Sequence, residues 1–108
     1  MSKQFLGEFE ELVLMAVLKL AQNAYGIPIA DAIEEATGKR VSTGALYVAL
    51  GRLEEKGFLS SYLGEATAER GGRAKRYYRI ENAGRQALID STEVRKGFLQ
   101  GVVLQPQG

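Results

Sequence analysis

The chain contains neither cysteine nor histidine. Without thiols there can be no disulfides, thiolate metal sites or thiol catalysis. Without imidazole the usual neutral-pH base and the commonest metal ligand are missing, leaving carboxylates, lysines, tyrosines and hydroxyls for any chemistry. No dinucleotide-binding or P-loop glycine motif occurs. The sequence therefore predicts neither an enzyme nor a protein with a metal or cofactor. Long hydrophobic runs are also lacking. The longest, Leu12 to Leu18, is closed by Lys19 and falls short of the ~20 residues that cross a bilayer. The first five residues carry one cation and no small-residue cleavage pattern, so neither a membrane partner nor export is expected, and a cytoplasmic location is.

A large net charge is missing too, since the formal value is only +1, but the charge is unevenly placed. Lys39 to Arg85 holds ten cations against five acids, whereas the rest of the chain holds four against eight. A basic middle between acidic ends suits a polyanion-binding face on a soluble scaffold. At 108 residues one domain with a modest core is expected, and partnership between subunits would help stabilise it.

Hydrophobic spacing predicts four helices and one hairpin. Phe9, Leu12, Val13, Ala16, Val17 and Leu20 form the inward stripe of a helix from Gly7 to Ala21, and Leu14, Met15 and Leu18 form a second apolar strip that needs another element or another subunit. A second helix starts near Pro28, with Ile29, Ile33 and Ala36 inward, and is closed by Gly38 in a left-handed conformation. Ser42 or Thr43 caps a third, anchored by Leu46, Leu50 and Leu53 and ended by Gly57. Its opposite face carries Gly44, Tyr47, Val48, Gly51 and Arg52. Two glycines there, each costing about 1 kcal/mol against alanine, suggest close approach of something to the backbone; a partner helix is the plainer alternative.

Alternation from Phe58 to Leu63 and from Lys75 to Ile80 predicts paired strands around a polar, glycine-rich tip. Five cations, Arg70, Arg73, Lys75, Arg76 and Arg79, fall within ten residues with no acid among them, and such a set repels itself unless a polyanion neutralises it. Strand alternation puts Lys75, Tyr77 and Arg79 on one face and Arg76 and Tyr78 on the other. Arg73 and Lys75 are thus favoured at the tip, with Arg76 or Arg79 paired to Glu54 or Glu81. The last helix is expected from Asn82 to Val102, Asn82 serving as its cap, with Leu88, Thr92, Leu99 and Val103 on one stripe and Val94, Phe98 and Val102 on another.

Three helices, a basic hairpin and a closing helix follow the order of a winged helix-turn-helix. Tyr25-Gly26, then Ser42-x-Gly44-x-Leu46-Tyr47-x-x-Leu50-x-Arg52-Leu53-Glu54-x-x-Gly57, then Gly71-Gly72-Arg73-x-Lys75-x-Tyr77-Tyr78 resemble the PadR family of transcriptional regulators, over roughly Leu6 to Leu88. Two positions depart from the pattern: Ala74 stands where proline is frequent, and Glu81 where a threonine commonly caps the last helix.

The resemblance implies a mainly α fold with a small β-hairpin, and a homodimer on double-stranded DNA. The third helix would enter the major groove, the hairpin would follow the minor groove, and the first and last helices would join the subunits. The expected organisation is a DNA-binding domain over 1–81, a dimerisation helix over 82–103 and a frayed tail over 104–108. DNA contacts are expected from Ser42, Thr43 and Gly44 at a helix N-terminus suited to phosphate, from Tyr47 and Arg52, and from Arg70, Arg73, Lys75, Arg76 and Tyr77 in the wing. Leu14, Met15, Leu18, Val94, Phe98 and Val102 are expected at the dimer interface, where any small-molecule effector would bind. The function expected is repression from a palindromic operator. A winged helix that docks a protein instead of DNA is the alternative. An RNA binder is disfavoured because Tyr77 alone makes a poor stacking platform.

Overall fold

The computed structural model describes residues 6–64 and 74–107. In chain order it comprises α1 (Glu8–Leu20), a single 3-10 turn (Ala21–Asn23), α2 (Gly26–Thr37), α3 (Thr43–Glu55), strands β1 (Leu59–Leu63) and β2 (Arg76–Ile80), and α4 (Asn82–Leu99). The expected mainly helical fold with a two-stranded antiparallel sheet is the one observed.

α1 is the central element, packing against α2, α3, β2 and α4. Neighbours on so many sides account for a correction. Leu14, expected beside Met15 and Leu18 at a subunit interface, is fully buried in the core of its own chain, as are Val13 and Val17. Met15 and Leu18 remain exposed. Ile29 and Ile33 bury the inner face of α2, and Leu46, Leu50 and Leu53 that of α3; Ala36, expected inward, is exposed. Each large aliphatic side chain so buried contributes about 1.5–3 kcal/mol.

The joint between α2 and α3 is tightly specified. Gly38 closes α2 at φ +72°, a left-handed conformation that glycine adopts without the Cβ penalty. The Glu34 carboxylate then accepts the backbone N–H of Val41 at 2.7 Å, fixing the turn that aims α3. Ser42 caps α3, its hydroxyl accepting the N–H of Ala45 at 3.1 Å.

An isolated β-bridge beside β2 escaped the sequence. Ala21 takes φ 53°, ψ −109°, a conformation that favours glycine, and this sharp reversal carries Ala24 and Tyr25 alongside β2. There Tyr25 bridges Tyr77, and the N–H of Tyr78 donates to the carbonyl of Ala24 at 2.8 Å. Backbone strain of this kind costs of order 1–3 kcal/mol. Ala21→Gly is therefore expected to stabilise the chain by about 1 kcal/mol after the extra unfolded-state entropy of glycine is set against it, raising Tm by roughly 4 °C in a thermal melt.

α4 differs from expectation at both ends. Asn82 is its first residue, not its cap; the cap is Glu81, whose side chain makes no capping bond because its carboxylate accepts the Ser60 hydroxyl at 2.6 Å. The helix stops at Leu99, so Val102 lies beyond it. The buried residues of α4 are Gly84, Ala87, Leu88 and Ser91. There the Ser91 hydroxyl donates to the Glu11 carboxylate at 2.8 Å and Arg95 Nε donates to the same oxygen at 3.2 Å, a polar tie to α1. From residue 92 onward nothing in the helix is buried. Val94 is half-buried, and Phe98 is 85% exposed.

Candidate nucleic-acid interface

The exposed face of α3 presents Gly44, Tyr47, Val48 and Arg52. The two glycines are not needed by the chain itself: a Cβ placed on Gly44 or Gly51 would meet nothing within 4 Å. Their smallness thus serves whatever lies outside. Ser42 and Thr43 are exposed at the N-terminus of α3, where free N–H groups and the positive end of the helix dipole attract phosphate. Ser42 Oγ already accepts a capping bond, so its hydroxyl proton is what it can offer a phosphate oxygen.

Tyr47 is about half exposed. Its hydroxyl lies so close over Gly26 that a Cβ there would collide with it. The ring therefore both faces outward and packs α3 against the first turn of α2, and Gly26 is the residue that makes room.

The hairpin is joined to the helices by polar and aromatic contacts. Its register sets Leu59 opposite Ile80, Ser61 opposite Tyr78 and Tyr62 opposite Tyr77. On the inner face Tyr78 is buried, and its phenol is pushed above the usual 10.0 by burial first and then by the nearby charge of Glu54. Toward the tip Arg76 donates to the Ser61 hydroxyl at 3.0 Å, which donates to the Glu54 carboxylate at 2.8 Å. The expected pairing of Arg76 with Glu54 thus runs through Ser61, and it ties the strand to the last turn of α3.

The outer face carries a tyrosine row. Tyr77 stands edge-on to Tyr25, with centroids 5.3 Å apart, and is stacked on Tyr62 at 5.6 Å. Lys75 Nζ lies 4.5 Å from the Tyr25 ring centre, and Arg79 lies 4.9 Å from that of Tyr62. Arg79 accordingly rests on a ring, contrary to the expected pairing with Glu81, whose carboxylate Ser60 occupies. Tyr77, expected against DNA, is half-buried with neighbours on both sides. The row is no platform for unpaired bases, because its members already face one another. Tyr62 was not singled out in the sequence, and the signal that would have found it is the cross-strand pairing with Tyr77.

Of the expected DNA contacts, the structure gathers Ser42, Thr43, Gly44, Tyr47 and Arg52 at and along α3 and sets Lys75 and Arg76 at the loop end of the strands, where Lys75 reaches Tyr25 and Arg76 reaches Ser61. Arg70 and Arg73 lie outside the described residues. Lys39 and Arg40, counted before only as part of the basic block, are exposed in the turn that leads into α3.

Residues 14–90, spanning the helix-turn-helix and the hairpin, match the transcriptional regulator PadR-like family. The chain belongs to that family. The solved structures agree. A PadR family transcription regulator from Clostridium difficile is similar at 26% identity and TM-score 0.70, over 89% of this chain and 94% of that one. A PadR-like transcription factor from Bacteroides fragilis is similar at 27% identity and TM-score 0.71, over 87% and 85%. A transcriptional regulator from Clostridium thermocellum is similar at 26% identity and TM-score 0.67, over 88% and 89%. Among curated proteins, none matches the sequence. As a PadR-like protein the chain is a DNA-binding transcriptional regulator with a winged helix, not an enzyme. Among the described residues no helix is long and apolar enough to cross a membrane.

Proposed function

We propose that this PadR-like chain is a cytoplasmic repressor that binds a palindromic operator as a homodimer. α3 enters the major groove of each half-site, while β1 and β2 carry the wing along the adjacent minor groove. Half-sites then lie about one helical turn, ~34 Å, apart. Repression follows from occlusion of the promoter, and any small effector acts where the subunits meet. The observation that carries this reading is the outer face of α3, whose Gly44 and Gly51 leave open a surface that their own chain does not fill.

In this reading Ser42, Thr43 and Gly44 bind phosphate, Tyr47 and Arg52 reach base edges or backbone, and Lys75 and Arg76 grip the adjacent strand. Arg70 and Arg73 are assigned to the wing tip on sequence alone. Mobility shifts with promoter DNA from the protein's own locus test it: binding should be nanomolar and weaken steeply with salt. Lys75→Ala with Arg76→Ala is expected to flatten the slope of log K against log salt by about 0.9 for each phosphate that is no longer neutralised. Absent or salt-insensitive binding would sink the proposal. An unchanged slope would remove those two side chains from it.

A further inference from the structure

Midway along the outer face of α3 an aliphatic side chain stands in water. Val48 is 56% exposed, at a helical position where a β-branched residue has no intrinsic advantage. On a helix surface the neighbours of a residue are those three and four positions away. For Val48 these are Gly44, Ala45, Gly51 and Arg52. The first three bring at most a methyl group, and a Cβ added to either glycine would meet nothing within 4 Å. The isopropyl group therefore stands clear of the helix, and β-branching restricts its rotamer before anything binds.

Around it, side chains that read bases by hydrogen bonding are scarce. α3 holds no asparagine, glutamine, lysine or aspartate, and the first two are the residues that pair with adenine. The Glu54 carboxylate is engaged by the Ser61 hydroxyl at 2.8 Å, and the Tyr47 hydroxyl is turned over Gly26. Thr43 lies at one end of the face and Arg52 and Glu55 at the other. The middle belongs to Val48.

We infer that Val48 reads one thymine in each half-site through the C5-methyl group of that base. The inference rests on the proposal that α3 lies in the major groove, and it names what the middle of the helix recognises there. The thymine methyl is the apolar group that unmodified base pairs display in the major groove, so it is the natural partner for an aliphatic side chain pressed into that groove. Other bases at that position would set the valine against polar edges, which would lose water without gaining a hydrogen bond. Valine is short and reaches a base edge only when the helix backbone comes close. The glycines on either side permit that approach.

Deoxyuridine lacks the methyl group of thymidine and keeps every hydrogen-bonding group of the base. A tight site is first selected from random duplexes with the wild-type protein, and each thymine position is then replaced by deoxyuridine in both half-sites in turn. One position is expected to weaken wild-type binding about fourfold for each half-site, the worth of one methyl group taken out of water. Val48→Ala should bind the thymine site more weakly and no longer distinguish thymine from deoxyuridine at that position, with the wild-type salt slope retained and a thermal melt no lower than that of the wild type. A deoxyuridine effect that persists undiminished in Val48→Ala would overturn the assignment, and so would a selected site with no position sensitive to deoxyuridine. Either result leaves the reading of DNA by α3 standing. Failure to select any sequence would remove that reading and the inference together.

Discussion

Leu14→Lys is expected to leave no folded protein, whereas Phe98→Lys leaves the fold intact and yields a monomer. Both residues answer to the same description in the sequence, a large apolar side chain on the second face of a helix. The structure separates them, since Leu14 is 0% exposed and Phe98 is 85% exposed. An ammonium at position 14 would forfeit about 2–3 kcal/mol of apolar burial and add several kcal/mol for an unpaired charge out of water. Against a total stability of roughly 5–15 kcal/mol that is enough to unfold the chain. At position 98 the charge stays in water in the isolated subunit and meets its cost only on association. Far-ultraviolet circular dichroism and sedimentation read the two outcomes separately. A folded Leu14→Lys variant, or a dimeric Phe98→Lys variant, would show that the surfaces are assigned wrongly.

Gly44→Leu combined with Gly51→Leu is expected to abolish most DNA binding while raising stability. Nothing in the chain lies within 4 Å of either added Cβ. At Gly51, in the interior of α3, the gain in helix propensity is up to about 1 kcal/mol. DNA pressed against that face has no room for the new side chains, and affinity should fall at least tenfold, or about 1.4 kcal/mol. Few substitutions move the two properties in opposite directions, so the pair is diagnostic. A thermal melt that rises with DNA affinity unchanged would mean that the glycine face of α3 is not where DNA sits.

Much of this architecture was legible because the periodic signals were local. Leu46, Leu50 and Leu53 fix the inner face of α3 by spacing alone, Gly38 marks the end of α2, and the alternation around Tyr78 gives the hairpin its buried side. What escaped depended on tertiary placement. The bridge at Ala24 and Tyr25 is too short to have a period, and it exists because Ala21 reverses the chain. Leu14 was misplaced because the second apolar strip of α1 could be met by another element or by another subunit and was assigned to the subunit, whereas α1 packs against α2, α3, β2 and α4 of its own chain. Arg76 and Arg79 were seen as seeking carboxylates, yet one reaches Glu54 through a serine hydroxyl and the other settles on a tyrosine. Such choices depend on cross-strand register, which composition does not carry. The glycines of α3 show the converse: a local rule broken without internal compensation was the clearest pointer to the surface proposed to meet DNA.

The polar tie of Glu11, Ser91 and Arg95 sits midway along α4, where burial ends. Mechanically it is a fulcrum. The first half of the helix is clamped by Gly84, Ala87 and Leu88, and the eight residues beyond Ser91, ending at Leu99, form an arm of about 12 Å at 1.5 Å per residue. A tilt of about ten degrees at Ser91 would move the tip by about 2 Å, enough, in the proposed homodimer, to change how far apart two DNA-reading helices are held. Side chains at the fulcrum, far from any base pair, would then set which operator spacings the protein accepts.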